Sequence, residues 1–243
     1  MLNNKSPLCL SLHPFMPLTI KCSFAILARK MLQNYRHIIW DWNGTLLDDA
    51  WLSVEIINIL LRKRGLPDTD HQRYLREFDF PVRDYYQRMG FDFSRQPYEE
   101  LATEFIDLYD HRCAECRLQP HALDTVKRYA AAGYQQTILS ASEQTRLEEM
   151  VALFPELQPC FSRVIGVSNY YAVSKVDIGK RLIEALAQSP AEVVLIGDTA
   201  HDFDVAQAMG IACILIPSGH HPREKLAQCG APIVDSLAEL VLL

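Results

Sequence analysis

The segment "HIIWDWNGTLLDD", His37 to Asp49, decides the fold. An apolar run, Ile38, Ile39 and Trp40, ends in a single acid, Asp41, and a loop carrying Gly44 and Thr45 follows. Short unbroken apolar runs mark strands buried on both faces of a parallel sheet. Asp41 then stands at the carboxyl end of a strand, where open α/β sheets collect their ligands.

Downstream of Pro120 the same rhythm recurs. The pattern predicts a helix over Ala122–Ala132 closed by Gly133, then a strand over Gln136–Leu139 ending at Ser140. A helix over Gln144–Leu153, a strand over Phe161–Gly166 and a helix over Lys175–Ala187 come next. Val193–Ile196 reads as a strand running into Gly197 and Asp198, Asp202–Met209 as a helix and Ala212–Ile216 as a strand. Strands alternating with helices predict an α/β fold, a doubly wound parallel sheet with helices on both faces.

Residues 50–118 break that rhythm. Trp51–Arg64 carries Leu52, Ile56, Ile59 and Leu60 at helical spacing and stops at Gly65, Leu66 and Pro67. The stretch beyond is rich in Tyr, Arg and Glu and shows no strand-like run. The expectation is an α-helical cap at 50–118 inserted into a core made of 35–49 and 119–243. Residues 1–34 hold no Asp or Glu, three prolines and little periodicity. They are expected to be a poorly ordered extension, since His13, Pro14 and Pro17 interrupt any signal-peptide core.

Composition narrows the function classes. The net charge of −6 over 243 residues argues against nucleic-acid binding, which wants a basic face. No stretch reaches the roughly 18 apolar residues of a membrane span. Seven scattered cysteines, an odd number, read as reduced thiols and a cytoplasmic location. Cys113 and Cys116 have C-x-x-C spacing but lack the second pair that a zinc site needs, so they are expected to be incidental.

The polar residues at the expected strand ends carry the chemistry. Asp41, Ser140 and Asp198 fall there, Lys175 opens a helix, and Asp202 follows Asp198 by one helical turn. Two carboxylates suit a hard cation such as Mg²⁺. A carboxylate can also attack phosphorus, provided cations and donors offset the repulsion between anions.

These segments, "DWNGTLLDD", "ILSAS", Lys175 in "VSK" and "IGDTAHD", resemble the four ordered motifs of the haloacid dehalogenase-like hydrolase superfamily, and within it phosphoglycolate phosphatase-like members most. The likeness covers about residues 35–220, and the long gap between Asp41 and Ser140 falls where that superfamily inserts a helical cap. The resemblance implies a Mg²⁺-dependent phosphatase that acts on a small phosphorylated metabolite through an aspartyl-phosphate. It implies Asp41 as nucleophile and metal ligand, the Asn43 backbone carbonyl and Asp198 as further metal ligands, and Lys175 as the neutralising cation. Ser140 and Ala141, with Gly44 and Thr45, would bind the phosphoryl group, and Asp202 would hold Lys175 or a metal-bound water. It leaves the oligomeric state and the physiological substrate open.

The chain departs from the family at Asn43, where phosphatases of this kind carry a second Asp. That acid protonates the leaving oxygen and later activates water, a contribution of roughly 10²- to 10⁴-fold. An amide does neither. Three outcomes stay open: hydrolysis of esters with good leaving groups or with help from a group such as His201, slow turnover that stores the phosphoenzyme, or a phospho-ligand-binding protein without turnover. Phosphonate cleavage is a minor alternative and would need Lys63, the only lysine of the expected cap. Asp48 and Asp49 are expected to cap the following helix, His220 and His221 to lie in a surface loop, and Arg83, Tyr85, Tyr86 and Arg88 to be candidates for reading the substrate.

Overall fold

The computed structural model describes residues 32–168 and 175–240. Most of the expected extension therefore lies outside the described residues. Leu32 is an exception to that expectation: it is buried in the core, and its carbonyl accepts from the Tyr134 hydroxyl, so the core begins before Tyr35.

Five parallel strands form the sheet: β1 (His37–Trp40), β4 (Gln135–Glu143), β5 (Arg163–Val167), β6 (Val193–Gly197) and β7 (Ala212–Leu215), in the spatial order β5-β4-β1-β6-β7. β1 is central, with Ile39 beside Thr137 on one side and Leu195 on the other. Its side chains alternate between faces. Ile38 and Trp40 pack with Val126 of α5 (Ala122–Ala131) and Leu147 of α6 (Gln144–Ala152). Ile39 packs with Leu182 of α7 (Val176–Ala185) and Val205 of α8 (Ala200–Met209). Both faces are covered, which is why β1 and β6 are apolar without interruption. The two polar ends in this layer are paired: Trp40 Nε1 donates to Gln136 Oε1 at 2.9 Å, and His37 Nε2 bonds Thr137 Oγ1 at 2.9 Å.

The expected elements shift by a few residues. α8 starts at Ala200 because Thr199 and Asp202 form a capping box, which places Asp202 inside the first turn. β4 runs three residues past Ser140, and β5 begins at Arg163 instead of Phe161.

Four α-helices fill the stretch between Asp49 and Cys113: α1 (Ala50–Lys63), α2 (His71–Glu77), α3 (Val82–Arg88) and α4 (Tyr98–Arg112). Asp70 caps α2 by accepting from the Arg73 N–H at 2.7 Å. The sequence pattern predicts no strand in this region, yet β3 (Arg117–Leu118) pairs antiparallel with β2 (Leu47–Asp48). This ribbon closes the chain's exit from the core onto its return. Two-residue strands carry no periodicity to read. No described helix is long and apolar enough to cross a membrane.

Candidate active site

The site forms at the carboxyl ends of β4, β1 and β6, beneath the inserted helices. The Asp41 N–H still bonds the Ile196 carbonyl at 2.9 Å, so the sheet itself fixes this acid at the strand's last rung. Asp198 directly follows β6. Lys175, at the start of α7, is 1 % exposed and reaches back to both acids of the pocket floor: its Nζ lies 2.5 Å from Asp41 Oδ1 and 2.6 Å from Asp202 Oδ1. It also donates to the Leu139 carbonyl at 3.2 Å. Asp202 is held from the other side by the Thr199 hydroxyl at 2.6 Å and the Thr199 N–H at 3.1 Å.

The electrostatics follow from this crowding. Burial pushes Asp41 well above the usual carboxylate range; Lys175 opposes the rise, and Asp202 and Asp198 add to it. Burial likewise raises Asp198, to about 6, against a lowering pull from His220. For Asp202 burial acts upward too, but Lys175 and Thr199 outweigh it and hold the group below its ordinary value. Burial alone would lower Lys175, yet Asp202 and Asp41 keep it strongly protonated. Three buried carboxylates thus face one ammonium, with ligand oxygens within 4.8 Å of one another. Two of them, Asp41 and Asp198, offer the hard oxygen donors that suit Mg²⁺. Asp202 is committed to Lys175 and Thr199.

The Asp41–Thr45 loop is tight. Gly44 has φ +76°, and a side chain there or at Gly219 would run into the Asp198 carboxylate. The Thr45 hydroxyl donates to Asp198 Oδ1 at 2.9 Å, and the Gly44 N–H donates to Asp49 Oδ1 at 2.8 Å. Both residues therefore brace the acids, and neither lines the cavity, in contrast to the phosphoryl-binding role expected of them. Ser140 and Ala141 do line it. The Ser140 hydroxyl accepts from the Ser142 N–H at 3.0 Å and donates weakly to Asn43 Oδ1 at 3.4 Å.

Asn43 is fully bonded. Its Nδ2 donates to Asp49 Oδ2 and to the Tyr109 hydroxyl, both at 2.9 Å, and its Oδ1 accepts from the Ser142 hydroxyl at 2.8 Å. Asp49, expected to cap the next helix, makes no side-chain cap. It turns inward and is 1 % exposed, accepting from Asn43, Gly44 and, at 2.7 Å, the Tyr109 hydroxyl. Burial would raise it, but His220 and these donors lower it below its ordinary value.

His220 and His221 are not in a surface loop either: both are buried. The His220 N–H donates to Asp198 Oδ2 at 2.6 Å, its Nδ1 bonds the Tyr74 hydroxyl at 2.8 Å, and its Nε2 lies 3.4 Å from Asp49 Oδ1. Burial lowers its affinity for a proton, but Asp49 more than compensates and raises it to about 9, so the ring is cationic at neutral pH. Asp49, Tyr109, Ser142 and His220 were missed by the sequence reading. The strand-end rule applied to the loop after β7 was the available signal for His220; Asp49 had none beyond its acidity.

A cavity of about 270 Å³ rises from this floor into the inserted helices. Of the substrate-reading candidates, Tyr85 and Tyr86 line it, whereas Arg83 lies over the Phe93 ring and Arg88 pairs with Glu77 outside. His201 also lines it, stacked 4.4 Å from Phe80 and lowered by burial toward the neutral form. Lys63 is exposed, pairs with Glu104 and takes no part in the lining.

Comparison with known proteins agrees with this geometry. A family model described as haloacid dehalogenase-like hydrolase matches residues 38–216. An N-acetylmuramic acid 6-phosphate phosphatase from Pseudomonas aeruginosa is 26% identical over 84% of this chain and 92% of its own length. A phosphoglycolate phosphatase from Caulobacter vibrioides is 27% identical over 83% of this chain and 86% of its own. A solved haloacid dehalogenase-like family hydrolase from Streptococcus pneumoniae superposes with a TM-score of 0.74 at 19% identity, over 85% of this chain and 97% of that one, which shows a shared fold.

Proposed function

This chain belongs to the haloacid dehalogenase-like hydrolase family, and from that premise we propose that it hydrolyses a small phosphorylated metabolite through a phosphoenzyme on Asp41, with Mg²⁺ as cofactor. The observation that carries the reading is the Asp41–Lys175–Asp202 chain at the strand ends, with Asp198 beside it. The relatives acting on phosphoglycolate and on N-acetylmuramic acid 6-phosphate support the phosphoric monoester class.

Each residue then has a physical task. Lys175 occupies Asp41 Oδ1 and leaves Oδ2 to attack phosphorus. The P–O bond to the leaving group breaks, and the departing oxygen keeps the electron pair. Water next attacks the same phosphorus, the bond to Asp41 breaks with its electron pair returning to the carboxylate, one of the water's protons stays on the released phosphate and the other passes to solvent. Asp202 holds Lys175 in place, and Ser140 offers its hydroxyl to a phosphoryl oxygen. Asp41, Asp198 and the Asn43 carbonyl would hold Mg²⁺, which supplies charge neutralisation for the phosphoryl oxygens. The inserted helices act as the cap that keeps bulk water out.

The rival reading is a phospho-ligand-binding protein without turnover. It draws on Asn43, whose bonded amide has no proton to give. Release of phosphate from acetyl phosphate, whose leaving group needs no acid, separates the two. Turnover that depends on Mg²⁺ and vanishes in Asp41→Asn supports the phosphatase. Absence of turnover in the wild type, with acetyl phosphate or any ester, sinks it.

A further inference from the structure

The cavity above the phosphoryl site is walled by rings. Phe78, Tyr85, Tyr86, Phe105 and Tyr109 line it together with Met150, and all but Met150 come from the inserted segment. Phe105 and Tyr109 lie nearly parallel, at 19° and 6.3 Å between centroids. The two tyrosine hydroxyls nearest the floor are already in use, Tyr74 on His220 and Tyr109 on Asp49. Such a wall rewards an apolar, flat leaving group in proportion to the apolar area it buries. It penalises a charged or heavily hydroxylated one, which would lose more water than the two unpartnered polar atoms among the described lining residues, the Tyr85 hydroxyl and His201 Nε2, could replace.

The cations lining the cavity are engaged as well. Lys175 serves Asp41 and Asp202, Arg146 pairs with Asp110 at 3.1 Å and Glu149 at 2.8 Å, and His220 faces Asp49. Asp49, Asp110 and Glu143 add negative charge to the same lining. A second carboxylate on the substrate would meet these acids.

Asn43 leads to the same substrate by an independent route. Without a proton donor, the leaving oxygen departs as an anion. An alkoxide is a poor anion, because its parent alcohol holds its proton about as tightly as water does. A phenolate is far better, with the proton of tyrosine's phenol leaving near about 10.

We infer that the substrate class, within the phosphatase reading on which this rests, is a small aryl phosphate: a phosphate monoester of a single-ring phenol, carrying no second acidic group. The ring fills the aromatic cavity while the phosphoryl group rests on Ser140, Lys175 and Asp41. The phenolate leaves with its electron pair and takes a proton from solvent only after release, so no enzyme acid is required.

The test uses the whole protein with Mg²⁺ and five substrates: acetyl phosphate, phenyl phosphate, p-nitrophenyl phosphate, cyclohexyl phosphate and 2-phosphoglycolate. Acetyl phosphate reports the Asp41 chemistry alone. Phenyl and cyclohexyl phosphate differ little in size, but one leaves as a phenolate and the other as an alkoxide. We expect kcat/KM for phenyl phosphate to exceed that for cyclohexyl phosphate and for 2-phosphoglycolate by at least about 10²-fold, the scale of the absent acid. p-Nitrophenyl phosphate, with the more acidic phenol, should be faster still. Equal rates for phenyl and cyclohexyl phosphate, or 2-phosphoglycolate as the best ester, would overturn the inference while leaving the phosphatase reading intact. Failure of acetyl phosphate as well would overturn the phosphatase reading itself.

Discussion

Asn43 and Asp49 behave as one unit. An acid is absent at residue 43 and one is buried at residue 49, with the Asn43 amide donating to it at 2.9 Å. Replacing Asn43 by Asp alone would set two carboxylates against each other, and one of them would have to bind a proton. We expect Asn43→Asp to gain no activity on alkyl phosphates and to lose roughly 1–2 kcal/mol of stability, or about 3–6 °C in Tm. The double substitution Asn43→Asp with Asp49→Ser removes the repulsion and leaves the new acid free to titrate. It should raise kcat on cyclohexyl phosphate by on the order of 10²-fold or more. Steady-state rates and thermal melts of the three proteins check both statements; a gain in the single variant would mean that Asp49 does not constrain residue 43.

At the scale of elements, β1 carries a pH sensor of stability. His37 is buried, and desolvation lowers its pKa from 6.5 to about 4. The folded state therefore favours the neutral ring. Its contribution is fully present above pH 6.5 and is lost as the pH falls through about 4, because the unfolded chain binds the proton first. Between pH 7 and pH 4.5 this costs about 2–3 kcal/mol. Denaturant melts of wild type and His37→Leu at the two pH values should show a shallower acid decline in the variant; parallel declines would exonerate His37. β1 and β6 were legible in the sequence because burial on both faces demands unbroken apolar runs. The β2–β3 ribbon was not, since its two-residue strands pair only because Leu47 and Leu118 meet across the insertion. The same contrast holds at the site. Asp41, Ser140, Lys175, Asp198 and Asp202 announce themselves by position at strand ends and helix starts. Asp49 and His220 become recognisable only once distant segments bring them together.

Over the whole molecule, the α1–α4 segment is tied to the rest of the chain by Tyr74 to His220, Tyr109 to Asn43 and Asp49, Asp79 to Lys225 at 2.9 Å, and Asp110 to Arg146 at 3.1 Å. Lys225 also donates to the Phe78 carbonyl at 2.6 Å. The Lys225–Asp79 pair is partly exposed, so screening limits it to below about 1 kcal/mol. Lys225→Met should raise KM roughly 2- to 5-fold by loosening closure, with kcat on acetyl phosphate changed less, and high salt should reproduce part of the effect in the wild type. Unchanged KM with a large fall in kcat would place Lys225 elsewhere in the cycle. The Tyr74–His220 tie is of another kind. His220 meets the cap through its ring, the residue-49 acid through its other nitrogen, and the floor of the site through its backbone N–H on Asp198. The insertion is therefore not an interchangeable module. A chimera that grafts another cap onto this core inherits a cationic imidazole built for Tyr74, and transplanting this cap without the segment around Gly219 and His220 strands a buried phenol. Domain exchange in this protein has to move residues 74 and 220 together.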